Sequence, residues 1–196
     1  MQAVVLDANV AHGGGLLSDD TTPSGKKVSG RKADTSPVRS RGMERTRHVT
    51  ASVYLVADGA TALHDHPGLD LRLPPGGHLE RGELPHEAAL REAREETGLD
   101  PTLLTDHADV SSPTARAVPR PRHLMLADVN VCDGTVGHQH IDHVYYATVD
   151  SRAVDPAPGE PGPAAWQWYD REALREADVD PDVRELGLEA IATAAD

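Results

Sequence analysis

Three glutamates, Glu92, Glu95 and Glu96, lie close together in the segment GGHLERGELPHEAALREAREETGL at residues 76–99. If this segment is helical, positions i, i+3 and i+4 fall on one face, because each residue turns the helix by roughly 100°. Carboxylates gathered on one face repel each other unless a cation neutralises them. Oxygen ligands without sulfur suit a hard divalent ion, so the spacing predicts a site for Mg²⁺ or Mn²⁺.

The flanking residues predict where this helix begins and ends. Pro85 is tolerated in the first turn of a helix. Gly98 can adopt the left-handed conformation that ends a helix, and Pro101 prevents the helix from resuming. Ahead of the helix, the run Pro74-Pro75-Gly76-Gly77 predicts a tight loop with few backbone hydrogen bonds.

Mixed arginine and glutamate on a helix is usually a solvent-exposed face with i,i+4 pairs, such as Arg91 with Glu95. The spacing of the whole stretch favours another interpretation, because it resembles the Nudix box, G-x5-E-x7-R-E-U-x-E-E-x-G-U. Chance agreement with the seven fixed letters is on the order of 10⁻⁷ per start point. Ala93 is smaller than the aliphatic residue usual at its position, which bears on packing and not on the ligands. The seven matching residues are Gly77, Glu83, Arg91, Glu92, Glu95, Glu96 and Gly98.

The resemblance implies an α/β fold, a Nudix-type α/β/α sandwich with a mixed β-sheet, over residues 43–196. It also implies a pyrophosphohydrolase, a hydrolase acting on acid anhydrides, that uses Mg²⁺ or Mn²⁺. One of the box glutamates, most often the one at Glu92, would also act as general base. Glu83 and Arg91 would hold the helix and the loop in place. The metal ligands implied are the backbone carbonyl of Gly76 and the carboxylates of Glu92, Glu95 and Glu96.

The expected substrate is a small-molecule nucleotide in which a nucleoside diphosphate is linked to another moiety. Nucleoside triphosphates, oxidised nucleotides, nucleotide sugars and ADP-ribose-like compounds all remain candidates. Family sites often take one more acid from a later loop, and Asp155 and Glu160 are the candidates here. Other expected substrate contacts are Arg116, Arg120, Arg122 and His140.

Two alternatives stay open at this point. A Nudix-fold sensor that binds a nucleotide without catalysis would tolerate loss of the glutamates, and none is lost. An isoprenoid isomerase of the same fold would need a reactive cysteine, whereas Cys132 lies beside a predicted turn. His138 and His140 share one face of a predicted strand and could ligate a transition metal, but His143 falls on the opposite face. Structural or substrate-edge histidines are the other interpretation of this group.

Composition limits the remaining classes of function. The chain has 196 residues, a net charge of −13 and one cysteine, which predicts a single domain without an internal disulfide. The negative charge disfavours a broad contact with nucleic acid or an anionic membrane. No apolar run approaches the roughly 18 residues that span a bilayer. We therefore expect a soluble cytoplasmic protein, and the sequence leaves open whether it forms a homodimer.

Residues 1–42 differ from the rest of the chain. They contain four acidic and six basic residues, and the basic residues include all three lysines of the chain. They lack aromatic side chains. This composition predicts a disordered tail, or a misassigned start with Met43 as the true first residue. The acidic, lysine-free remainder is typical either of adaptation to a salt-rich cytosol or of an ordinary acidic protein.

Alternation of apolar and polar residues predicts the other elements. Helices are expected to begin after Asp170 and after Asp180, the second with Pro181 in its first turn. Turns are expected at Asp58-Gly59 and Asp133-Gly134. Strands are expected over residues 49–56, 61–64, 69–73, 123–131, 140–149 and 165–169.

Overall fold

The structure is a computed structural model, and it describes residues 45–66, 71–105, 110–132 and 135–196. The predicted tail at residues 1–42 and the predicted turn at Asp133-Gly134 lie outside the described residues. The elements are β1 Thr46–Ala57, β2 Ala60–Asp65, β3 Arg72–Leu73, β4 Gly76–His78, α1 Pro85–Thr97, β5 Thr102–Leu103, β6 Ser111–Ser112, β7 Ala115–Arg116, β8 His123–Cys132, β9 Thr135–Thr148, a 3₁₀ turn Pro163–Ala165, β10 Trp166–Asp170, α2 Arg171–Glu176 and α3 Pro181–Thr193.

A mixed sheet organises these elements around β1. The strand order is β10-β2-β1-β9-β5, with β3 paired to β2, β4 paired to β1 and β8 paired to β9. β1 and β9 run parallel from Thr46 opposite His138 to Val56 opposite Thr148. The other pairs of this sheet are antiparallel. β6 and β7 form a separate two-stranded sheet.

The two faces of β1 pack against different helices, because successive side chains of a strand point to opposite sides. One face places Ala51, Val53 and Leu55 in a core with the buried alanines of α1, Ala88 and Ala89. The small side chains of these alanines let the helix lie close to the sheet. The other face contacts α2 and α3 through residues that include Tyr54, Val56, Leu174 and Ile191. The predicted α/β/α sandwich is confirmed.

Most predicted elements within the described residues are confirmed, and one loop is corrected. Asp58 and Gly59 both have positive φ values, as a two-residue hairpin turn between β1 and β2 requires. The expected loop at Pro74-Pro75-Gly76-Gly77 is wrong in its second half, because Gly76 and Gly77 pair with Ser52 and Ala51 as part of β4. Of the predicted strand at residues 69–73, the part at Arg72–Leu73 is confirmed, Leu71 lies outside the strand, and residues 69–70 lie outside the described residues.

Local capping explains the ends of the helices. Asp170 caps α2 as predicted, since its carboxylate accepts hydrogen bonds from the backbone amides of Glu172 and Ala173. α1 ends at Gly98, which has a φ of 70° and donates its amide hydrogen bond to the carbonyl of Arg94. None of the described helices is long and apolar enough to cross a membrane.

We expect Gly98→Ala to lower the free energy of unfolding more than Gly82→Ala. Both glycines have positive φ values, 70° and 86°, so alanine is strained at each by about 1–2 kcal/mol. A Cβ atom on Gly98 would also overlap the backbone oxygen of Asp155, whereas no atom of the described residues lies within 4 Å of one on Gly82. Urea unfolding of the two variants measures the difference. Equal destabilisation would contradict this close contact.

Candidate metal and hydrolysis site

The three glutamates predicted as ligands share α1 but differ in exposure. Glu92 and Glu96 lie against the sheet, with Glu96 at 9% relative exposure. The Glu95 side chain is 47% exposed, compared with 16% for Glu92. Two of the carboxylates are therefore largely removed from solvent, and the third stands at the rim of the site.

Arg91 connects the helix to the segment before it. Its guanidinium donates two hydrogen bonds to Glu83, from Nε to Oε1 at 2.9 Å and from Nη2 to Oε2 at 3.0 Å. Nη1 lies 2.8 Å from Oε1 of Glu92 and 2.9 Å from Oε2 of Glu95. Nη2 also donates to the backbone carbonyl of His78 at 3.1 Å. The bidentate pair holds the orientation of the arginine, and the hydrogen bond lowers the pKa of Glu83.

Backbone atoms of β4 approach the glutamates directly. The amide of Gly76 donates a hydrogen bond to Oε2 of Glu96 at 3.2 Å. A Cβ atom on Gly77 would overlap the carboxylate of Glu92. Glycine at this position lets the carboxylate of Glu92 approach the backbone closely, since a side chain there would displace the acid.

The site is crowded with negative charge. Burial is the main cause that raises the pKa of Glu96, to about 8, and the charges of Glu92, Glu160 and Glu95 raise it further. Burial also raises the pKa of Glu92, although Arg91 acts in the opposite direction. The charge of Glu160, a residue predicted to supply an additional acid, also raises the pKa values of Glu92 and Glu96.

The loop that carries Asp155 and Glu160 is fixed to the end of α1. The amide of Asp155 donates to the carbonyl of Thr97 at 2.8 Å, and the amide of Ala157 donates to the carbonyl of Glu95 at 2.7 Å. The amide of Glu160 in turn donates to the carbonyl of Ala157 at 3.1 Å. These bonds connect a segment more than fifty residues later in the chain to the helix of the box.

The predicted substrate arginines lie in different parts of the structure. Arg116 is exposed in β7. Arg120 and Arg122 line a cavity of about 250 Å³ together with Glu189. The Arg122 guanidinium lies 5.8 Å from the ring centre of Tyr146, whose side chain packs on the side of the sheet covered by α3. Arg122 is therefore on the face opposite to α1.

His140 belongs to a group of four histidines, with His48, His78 and His138. Sequence reasoning missed His48 and His78 because strand pairing brings them to the group: His48 lies opposite His140, and His78 lies opposite Thr50. An HxH pattern at residues 138–140 was the available signal. His143 is outside this group, and its Nδ1 lies 3.3 Å from the carbonyl of Thr50.

A sequence model of the NUDIX domain matches residues 46–188. The chain belongs to the Nudix family. A NUDIX-family hydrolase from Clostridium perfringens is similar to it, with 34% identity, a TM-score of 0.64, and coverage of 76% of this chain and 99% of that one. This chain is therefore a Nudix hydrolase, and its general activity is hydrolysis of nucleoside diphosphate-linked compounds.

Two further solved structures share the fold of this Nudix hydrolase. A NUDIX hydrolase from Nitrosomonas europaea has 20% identity and a TM-score of 0.52, over 76% of this chain and 90% of that one. A UDP-X diphosphatase has 19% identity and a TM-score of 0.51, over 77% of this chain and 65% of that one. At these identities the likeness shows the fold alone.

The side chains of the site fit a hard divalent cation. Glu92, Glu95 and Glu96 offer carboxylate oxygens from one helix, and Mg²⁺ and Mn²⁺ prefer such ligands. Burial is the main cause of the raised pKa values of Glu92 and Glu96, so the folded chain disfavours the charged form of each. A bound cation would remove this penalty.

We expect the metal-free protein to lose stability as the pH rises. Folding raises the pKa of Glu96 from 4.5 to about 8. Between these values the unfolded state has released a proton that the folded state retains, so the free energy of unfolding falls with increasing pH. Glu96→Gln should remove this part of the decline, whereas the exposed Glu87→Gln should keep it. Urea unfolding at several pH values in EDTA measures the slopes. An unchanged slope in Glu96→Gln would contradict the assignment.

Proposed function

We propose that this Nudix hydrolase uses a divalent cation, Mg²⁺ or Mn²⁺, to cleave the diphosphate bond of its nucleotide substrate. Glu92, Glu95 and Glu96 are the proposed carboxylate ligands, and the carbonyl of Gly76 is a further one. The observation that carries the proposal is that Glu96 and Glu92, both largely removed from solvent, lie against Gly76 and Gly77 of β4. Nucleoside triphosphates, oxidised nucleotides, nucleotide sugars and ADP-ribose-like compounds are the candidate substrates.

The reaction has three obstacles, which are the negative charge of the diphosphate, the weakness of water as a nucleophile and the need for in-line attack. A cation in the glutamate group would neutralise phosphate oxygens and lower the pKa of a bound water. A glutamate that is not fully engaged as a ligand would accept the proton from the attacking water, and Glu92 is the proposed base. Its position is restricted by Gly77 on one side and by Arg91 on the other.

Arg91 and Glu83 act as positioning residues in this proposal. Their bidentate pair holds the guanidinium where it contacts Glu92, Glu95 and the carbonyl of His78. Lysine cannot reproduce this geometry, because it carries a single ammonium group in place of the planar fork. The arrangement therefore keeps the helix and β4 at a fixed separation.

Glu160 is a proposed additional acid, supported by its electrostatic effect on Glu92 and Glu96. The substrate contacts at Arg116, Arg120, Arg122 and His140 stay predictions. So do a cytoplasmic location and a homodimer. A nucleotide sensor is the second candidate activity, and the complete glutamate set favours hydrolysis over it.

We expect metal-dependent turnover that Glu95→Gln or Glu96→Gln lowers by orders of magnitude, because each variant removes one proposed anionic ligand. Glu87→Gln is the matched control, since it lies on the same helix and its glutamine can still accept the hydrogen bond from the amide of Leu84. The assay is phosphate or nucleotide release from a panel of nucleoside diphosphate derivatives, with Mg²⁺ or Mn²⁺, at low and high salt.

Circular dichroism and urea unfolding confirm that each variant is folded before its rate is compared. Wild-type rates in Glu95→Gln and Glu96→Gln, or turnover that persists in EDTA, would contradict the proposed mechanism. Tight nucleotide binding without turnover on any member of the panel would favour the sensor.

A further inference from the structure

Four histidines from three strands converge on the face of the sheet opposite to α1. Each histidine offers one ring nitrogen as a ligand. These four nitrogens all lie within 4.8 Å of one another. Neighbouring rings lie edge to face, with centres 4.4 Å apart for His48 and His138 and 4.9 Å apart for His138 and His140. The members are His48, His78, His138 and His140, here called the histidine cluster.

Strand register explains why these side chains meet. β1 and β9 are parallel with His48 opposite His140, and His138 is two residues earlier on the same face of β9. β4 is antiparallel to β1 with His78 opposite Thr50, which is two residues from His48. All four side chains therefore point to one side of the sheet.

We propose that the histidine cluster binds one divalent transition-metal ion, such as Zn²⁺, that joins β1, β4 and β9. Imidazole nitrogens suit Zn²⁺, whereas Mg²⁺ prefers oxygen. Four nitrogens at 2.0–2.1 Å from a tetrahedral ion are about 3.3–3.4 Å from each other. Nδ1 of His48 and Nε2 of His78 already lie 3.2 Å apart. Four protein ligands leave no open position, so the ion has a structural role.

His138 supplies an independent observation. This residue is only 7% exposed, and its Nε2 has no hydrogen-bond partner within the described part of the chain. Its Nδ1 lies 2.7 Å from the hydroxyl oxygen of Thr46. When Nδ1 donates its proton to that oxygen, Nε2 carries a lone pair, which is the usual arrangement of a histidine that ligates a metal.

The simpler interpretation is a set of neutral histidines that form hydrogen bonds with each other. It accounts for the contact between His48 and His78, since one ring can donate to the other. It leaves Nε2 of His138 buried without a hydrogen-bond partner among the described residues, which is unfavourable. A metal ion satisfies this nitrogen and the contact between His48 and His78 together.

The histidine cluster and the glutamate site share β4. His78 directly follows Gly76 and Gly77, whose backbone contacts Glu96 and Glu92, and its carbonyl accepts a hydrogen bond from Arg91. An ion on His78 would hold β4 against β1 and so fix the backbone at the glutamates. The ion itself would lie on the other side of the sheet, and the proposal does not depend on the proposed hydrolysis.

Zn²⁺ binding to tag-free, metal-stripped protein tests the proposal, because a polyhistidine tag would bind the same ions. Titration calorimetry and elemental analysis give affinity and stoichiometry. We expect one tightly bound Zn²⁺ per chain in the wild type, and affinity at least about 100-fold weaker in the double variant His48→Gln/His138→Gln. His143→Gln is the matched control on the same strand, and it should bind as the wild type does.

A triple variant, Glu92→Gln/Glu95→Gln/Glu96→Gln, separates this site from the glutamate site and should retain the tight Zn²⁺. Co²⁺ in the wild type provides a readout that needs no variant, because four-coordinate Co²⁺ absorbs visible light far more strongly than six-coordinate Co²⁺. Absence of tight Zn²⁺ from the wild type, full affinity in the folded double variant, loss of the ion in the triple variant, or a weak six-coordinate Co²⁺ spectrum would each overturn the proposal.

Discussion

The burial of carboxylates, to which their mutual repulsion adds, is the constraint on which the site depends. Glu92 and Glu96 lie where α1 meets the sheet, and Glu160 adds its charge from a later loop. Arg91 balances part of this charge through Glu83, Glu92 and Glu95, whereas Glu96 receives a backbone hydrogen bond from Gly76. The proposed cation would supply the remaining positive charge. Its binding would remove the unfavourable free energy of burying these carboxylates in the metal-free protein, and this coupling favours the bound ion.

β1 places two groups of polar residues on opposite faces of one sheet. Its α1 face packs on Ala88 and Ala89, which brings the glutamates to the edge of β4. Its other face carries His48, and the parallel pairing with β9 adds His138 and His140. A change in strand register by one residue would exchange these faces and remove both groups. The strand register therefore determines the positions of the glutamates and the histidines as well as the packing of the core.

Sequence was informative where the signal is local. The limits of α1 follow from Pro85 and Gly98, and the spacing of the glutamates within one helix follows from its period. Sequence was less informative where strands pair across long distances. The pairing of Gly76 and Gly77 with β1 and the addition of His48 to the histidines depend on β1 meeting β4 and β9. The position of Arg122 depends on its contacts with Val144 and Tyr146 of β9. Spacing along one strand does not determine these contacts.

Anomalous diffraction from crystals soaked in Mn²⁺ tests the central claim most directly, because it locates the ion without reference to turnover. The account predicts a strong anomalous peak within coordination distance of Glu92, Glu95 and Glu96, and loss of that peak in crystals of Glu96→Gln. Absence of a peak at the glutamates under saturating Mn²⁺, or a peak at the histidine cluster alone, would contradict it.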